Sequence, residues 1–275
     1  MGLLGSDANF IAMQSIALGG GAKGTMNLDS DPKNPYSRIM TMIVRKLQQV
    51  RDRITTACVA EGRNPADVRL LAVSKTFPFE AVMDAASDGQ RAFGENYIAE
   101  GVEKILALRN VRAIPPKFSL EWHCIGPVQS NKTRLVAEHF DWVQSIDRLK
   151  IAQRLSEQRP PELPPLQVCL QVNIDGGTNK SGVAAQDLLA LALAVSKLPR
   201  LRLRGLMSIP EPAIDFVAAC ALHQRARDLF DQLNASGELP ERMDTLSMGM
   251  TADLEAAIHA GSTMVRVGTA IFGER

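Results

Sequence analysis

Leu70-Leu71-Ala72-Val73-Ser74-Lys75 is an apolar run that ends on a hydroxyl and a primary amine. Within 68–74 it reads as the first of eight short strands; the others are 91–93, 120–125, 142–146, 166–174, 201–209, 245–248 and 263–267. Every gap between them holds a stretch with the apolar spacing of a helix: 79–87, 98–108, 132–139, 148–157, 186–197, 216–233 and 252–260. Strict alternation of this kind indicates a parallel α/β sheet. Eight units over about 210 residues predict a closed (β/α)8 TIM barrel. An open doubly wound sheet is the structural alternative, but its G-x-G-x-x-G after the first strand is missing.

Ahead of the barrel, Ile39, Ile43, Leu47, Val50, Ile54 and Cys58 recur every three or four residues and predict an extra N-terminal helix. Ser37 is its expected N-cap and Gly62 its expected stop. Residues 19–35 are rich in Gly, Asp, Asn, Ser and Pro and have little to bury. The expected organisation is a disordered extension over 1–36, with Met40 a more natural start, followed by one domain over 37–275.

The chain has 275 residues, 45% hydrophobic, enough for one large core. Its 31 basic and 30 acidic residues leave a formal charge of +1 with no basic patch, which argues against nucleic acid as a partner. Cys58, Cys124, Cys169 and Cys220 form no CxxC pair, which speaks against a metal knuckle or disulfide framework and suits a reducing compartment. No apolar run reaches the ~20 residues a membrane span needs, and the stretch 10–18 lacks a basic flank, so it is a poor secretory signal. A cytoplasmic monomer without a metal is expected.

Lys75 falls at the C-terminal end of the first strand, where barrels place their active sites. An amine beside apolar neighbours is partly desolvated, which lowers a lysine's pKa and allows it to condense with an aldehyde. The plainer reading is a solvated lysine that closes a strand. The ends of the seventh and eighth runs weigh against it. Ser247 and Gly249 precede a helix, and Gly268 and Thr269 follow the last strand, so hydroxyls and backbone donors gather where barrels often hold a phosphate. Arg266 alternates inward with Gly268 and faces the same mouth. An aldehyde-bearing phosphate cofactor satisfies both ends, which points to pyridoxal 5′-phosphate (PLP).

The segments AVSKT, FGENYIAE, WHCIGPVQSNK, SIDRLKIAQRL, QVNIDGGTNKSGV, RLRGLMSIP, LSMGMTADLEAAI and GSTMVRVGTAIFG closely resemble the PLP homeostasis protein family. That family is a single-domain relative of the alanine racemase N-terminal barrel, and the resemblance runs from about residue 40 to 275. It implies a fold type III PLP barrel with Lys75 as the Schiff-base lysine. It also implies phosphate contacts from Ser247, Gly249, Gly268 and Thr269, and Arg266 beside the pyridine nitrogen. Asn96 matches a polar position beside the cofactor, and His123 and Met207 match positions lining the pocket.

Other readings of the same residues stay open. His123 in an apolar strand is equally a satisfied core histidine, and Asn96 is equally the N-cap of the next helix. Asp141 and Asp147 read as turn and cap residues, and 175–180 as a loop over the mouth. Racemisation generally uses a base on each face of the cofactor. In the racemase relatives the second base is a tyrosine from a C-terminal β-domain, which this sequence, ending at Arg275, is not expected to carry; Tyr36 and Tyr97 are poorly placed substitutes. The expected function is a non-catalytic PLP carrier and regulator in intracellular vitamin B6 and amino-acid homeostasis, with apo PLP-dependent enzymes as recipients. A PLP-dependent amino-acid racemase is the alternative, and a barrel for another phosphorylated metabolite a third reading.

Overall fold

A computed structural model of the chain describes residues 35–109, 120–175 and 181–274, with side chains from 42 onward. The first helix, α1 (Pro35–Ala60), begins two residues before the expected cap at Ser37, with a proline in its first turn, where no intrahelical N–H is needed. Its buried face includes Ile43, Leu47, Val50, Ile54 and Cys58, as expected from spacing; the side chain of Ile39, the other member of that set, lies outside those described. The helix stops where Gly62 takes a φ of +64°. There the Arg63 N–H reaches the Cys58 carbonyl and the Gly62 N–H reaches that of Val59, a Schellman cap. The remainder of the expected extension, 1–34, lies outside the described residues.

The chain then alternates through β1 (Arg69–Val73), α2 (Phe79–Ser87), β2 (Ala92–Glu95), α3 (Ile98–Arg109), β3 (Glu121–Cys124), α4 (Thr133–His139), β4 (Trp142–Ile146), α5 (Leu149–Gln158) and β5 (Leu166–Asn173). It continues with β6 (Val183–Ala184), α6 (Leu188–Ser196), β7 (Leu201–Met207), α7 (Phe216–Ala235), β8 (Thr245–Ser247), α8 (Leu254–His259), β9 (Met264–Val267) and α9 (Thr269–Phe272). All strand pairs are parallel. β1 pairs with both β2 and β9, and β4 with β5, so eight strands close into the expected barrel. The two-residue β6, not foreseen, pairs among the described residues only with the end of β5. The segment 176–180, expected as a loop over the mouth, lies outside the described residues. Among those described, no helix is long and apolar enough to cross a membrane.

Alternation along each strand sorts the apolar side chains. One large cluster lies between strands and helices and includes Ala72, Phe93, Trp122, Val143, Leu246, Val265 and Val267. Two small clusters, Leu71/Ala92/Met264 and Trp142/Cys169/Met207, fill the barrel interior. Because α9 spans only four residues, it covers little of the β9–β1 seam. The gap is taken by α1, which packs on α2, α8 and α9.

Candidate functional site

Period-two alternation from Leu71, which faces the interior, sends Ser74 outward and Lys75 inward at the C-terminal rim. Lys75 is half-buried, and its amine has no hydrogen-bond or ion-pair partner among the described residues. The next residue, Thr76, has a φ of +65°. A β-branched residue held in that region costs of order 1–3 kcal/mol, and such strain concentrates at functional sites.

Below the rim a chain of polar side chains runs through the barrel. Arg69 pairs with Glu121 at 2.9 Å, and Glu121 accepts the Nε2–H of His123. Gln144 donates to His123 Nδ1 at 2.8 Å and accepts the Ser247 hydroxyl at 2.7 Å. Arg266 donates to Ser247 Oγ at 2.7 Å and to the Ser208 carbonyl at 2.9 Å. Burial lowers the pKa of His123 against the opposing pull of Glu121, so the ring is neutral, with its proton on Nε2. Burial likewise brings Arg266 down to about 10, still charged at neutral pH. Arg266 forms no ion pair among the described residues, and a buried cation whose direct partners are neutral oxygens favours an electron-rich or anionic ligand.

Two glycines shape the rim. Gly249 has a φ of +91°, and a Cβ there would lie 2.4 Å from the Cβ of Ala257. A Cβ on Gly268 would stand 3.0 Å from the carbonyl oxygen of Val73, the close approach that joins the ends of β9 and β1. Thr269, next along, is exposed. Asn96 Oδ1 and Ser208 Oγ are buried without a hydrogen-bond partner. Buried polar atoms are nearly always paired, so two orphans at the C-terminal ends of β2 and β7 mark groups awaiting a ligand. An unpartnered amine, a buried guanidinium with no ion-pair partner, two orphaned oxygens and two bare glycine backbones fit an aldehyde-bearing aromatic phosphate.

The structure brings Lys75, Asn96, Gly249, Arg266, Gly268 and Thr269 to one end of the barrel. His123 and Met207 are fully buried beneath it, and His123 is satisfied on both ring nitrogens and stacked on Trp142. Asn96 does not cap α3, since its side-chain oxygen is unpaired. Ser247 gives its proton to Gln144, so its hydroxyl is committed inside the barrel. Asp141 accepts the Trp122 N–H, tying the start of β4 to β3, and Asp147 pairs with Arg148. Sequence reading missed Gln144, Ser208 and a cluster of Ser74, Glu95, Glu100 and Lys104. Lys104 was legible as one turn from both Gly101 and Leu108, on the buried face of α3.

The family model for the alanine racemase N-terminal domain matches residues 46–275. The pyridoxal phosphate homeostasis protein of Vibrio cholerae is 55% identical over 236 residues, covering 86% of this chain and 98% of that protein. The chain belongs to the pyridoxal phosphate homeostasis protein family. Another solved relative is PipY of Synechococcus elongatus with PLP bound, 34% identical, with a TM-score of 0.71 over 84% of this chain and 100% of that one. The alanine racemase of Corynebacterium glutamicum is 16% identical with a TM-score of 0.60, over 86% of this chain and 61% of the racemase. At that identity it shares the fold alone.

Proposed function

We propose that the chain binds PLP at the barrel mouth and acts as a non-enzymatic carrier and regulator in vitamin B6 and amino-acid homeostasis. The observation that carries this reading is the unpartnered amine of Lys75 at the same end of the barrel as orphaned Asn96 and Ser208. Membership of the homeostasis family and the PLP-bound structure of PipY support it. Lys75 would hold the cofactor through its aldehyde carbon, the amine nitrogen taking the place of the carbonyl oxygen, which would leave as water. Arg266 faces the pyridine nitrogen and disfavours its protonation, which leaves the ring a weak electron sink. Gly249, Gly268 and Thr269 hold the phosphate, Asn96 lies beside the ring, and Met207 and His123 form the floor. Ser247 acts on the cofactor through its hold on Arg266, at the ring end and not on the phosphate.

The acting form is a cytoplasmic monomer whose working domain spans 37–275, with apo PLP-dependent enzymes as recipients and neither nucleic acid nor membrane as a partner. Exposed Tyr97, Ile209, Ile214 and Met250 follow β2, β7 and β8 on the mouth side, an apolar rim suited to a transient protein contact. An amino-acid racemase is the competing reading. It needs a second positioned base, a contribution of about 10²–10⁴-fold in rate.

The test incubates PLP-loaded protein with alanine and other amino acids, and separately with an apo PLP enzyme. The expected result is negligible racemisation, with activation of the apo enzyme faster than spontaneous release allows. Rapid turnover of any amino acid overturns the carrier reading, and activation no faster than spontaneous release reduces it to buffering.

A further inference from the structure

We infer that Glu100 and Lys104 are positioning residues that hold the peptide after Ser74 in a left-handed turn and so present the Lys75 amine to the mouth. The inference rests on the assignment of Lys75 as the cofactor lysine. Thr76 does not adopt a positive φ by its own preference, so something outside it must hold it there. Its N–H donates to Glu100 Oε1, and the same oxygen is fixed by Lys104 Nζ at 2.6 Å. Lys104 also donates to the Ser74 carbonyl at 2.7 Å and to Glu95 Oε1 at 2.8 Å. Glu95 Oε1 in turn accepts the Ser74 hydroxyl at 2.6 Å.

The Ser74 hydroxyl, the Ser74 carbonyl and the Thr76 amide, on either side of Lys75, all end in one cluster. The Lys75 amine is left out of it. An ammonium has three protons, and those of Lys104 are all engaged, with its side chain 6% exposed. Lys104 is therefore no substitute for Lys75 as the reacting amine. The cluster sits on the outer face of β1 and β2, under α3, and acts through the backbone. Helix α3 comes this close because Gly101 has no side chain; a Cβ there would stand 2.7 Å from the Phe140 ring and 3.1 Å from Glu95 Cβ. Glu100 lies four residues before Lys104, the spacing that lets both reach the same turn.

The decisive variants are Glu100→Ala, which leaves the buried Lys104–Glu95 pair intact, and Glu100→Ala combined with Thr76→Gly. Two quantities are measured: hydrogen–deuterium exchange at the Thr76 amide without PLP, and the rate at which borohydride traps PLP on Lys75. Loss of a charged hydrogen bond should speed exchange and slow trapping by about tenfold each in Glu100→Ala. Glycine adopts a positive φ without support, so the double variant should trap PLP within about threefold of wild type while its residue-76 amide still exchanges fast. A merely structural carboxylate would not be rescued in this way. Wild-type trapping in Glu100→Ala, or no recovery in the double variant, overturns the inference. If wild-type Lys75 traps no PLP, the cofactor assignment fails instead. The exchange arm then decides the clamp alone: faster exchange at Thr76 supports it, and unchanged exchange overturns it.

Discussion

At the lower end of the barrel, polar side chains answer one another; at the mouth, several answer nothing. Below, Arg204 pairs with Asp244 at 2.6 Å, donates to Gln167 at 2.8 Å and lies 4.8 Å over the Trp142 ring, while Arg69 pairs with Glu121. Above, Asn96 Oδ1 and Ser208 Oγ are buried without partners, and Thr76 carries a strained backbone. The other orphaned atoms not otherwise engaged lie outside the barrel interior: Glu95 Oε2 under α3, and those on His139, Gln158 and His223 in the surrounding helices. The two ends have the same strands and the same register, so the difference is one of purpose. Paired groups stabilise the fold, and unpaired ones keep binding capacity in reserve at a cost in stability.

Substitutions should therefore separate by end. The largest expected loss is at Trp142, buried against His123, Cys169 and Met207. Trp142→Ala should cost about 3–5 kcal/mol in urea unfolding. A loss below about 1 kcal/mol would mean that the lower interior is not the rigid part.

Acid should attack the same end next. Burial pushes the Glu121 carboxyl up, but the His123 hydrogen bond, the charge His123 takes on in acid and the Arg69 charge and hydrogen bond outweigh it and bring it from 4.5 to about 2. A depressed folded value means the contribution is complete above about pH 4.5 and disappears as pH falls towards 2. Thermal melts across that window should lose about 1–3 kcal/mol of stability, and Glu121→Gln should flatten the profile. An unchanged slope in Glu121→Gln would place the acid sensitivity elsewhere.

Smaller effects should mark the mouth, and they should appear in binding. Thr269→Val should weaken PLP about tenfold and pyridoxal, which lacks the phosphate, hardly at all. Ser247→Ala should weaken both by a similar, smaller factor, because its hydroxyl serves Arg266. A selective loss of PLP in Ser247→Ala would give Ser247 a direct place on the phosphate. The smallest stability change belongs to Lys75→Ala, within about 0.5 kcal/mol, since the amine has no partner to lose.

How much of this was legible in the sequence follows from how each feature is encoded. Strands, helices and inward positions follow from periodicity, so Lys75, Arg266 and Gly268 could be placed by counting along their runs. Gln144 and Ser208 escaped because their importance depends on partners from distant strands: Gln144 meets Ser247, 103 residues away. Ser247 shows the converse limit. Its place at the end of β8 follows from the run, but the direction of its proton depends on Gln144 across the barrel. The left-handed Thr76 was hidden because the tendency of threonine is opposite, and only the carboxylate of Glu100 reveals why it is tolerated. The two-residue β6 is too short to leave any pattern.

The most direct measurement is borohydride reduction of the PLP-loaded protein, followed by digestion and mass-spectrometric mapping of the pyridoxyl group. The account expects the label on Lys75, with its visible absorbance band lost on reduction and absent from Lys75→Ala. A label on Lys104 or any other lysine, or an unaltered band in Lys75→Ala, would contradict it.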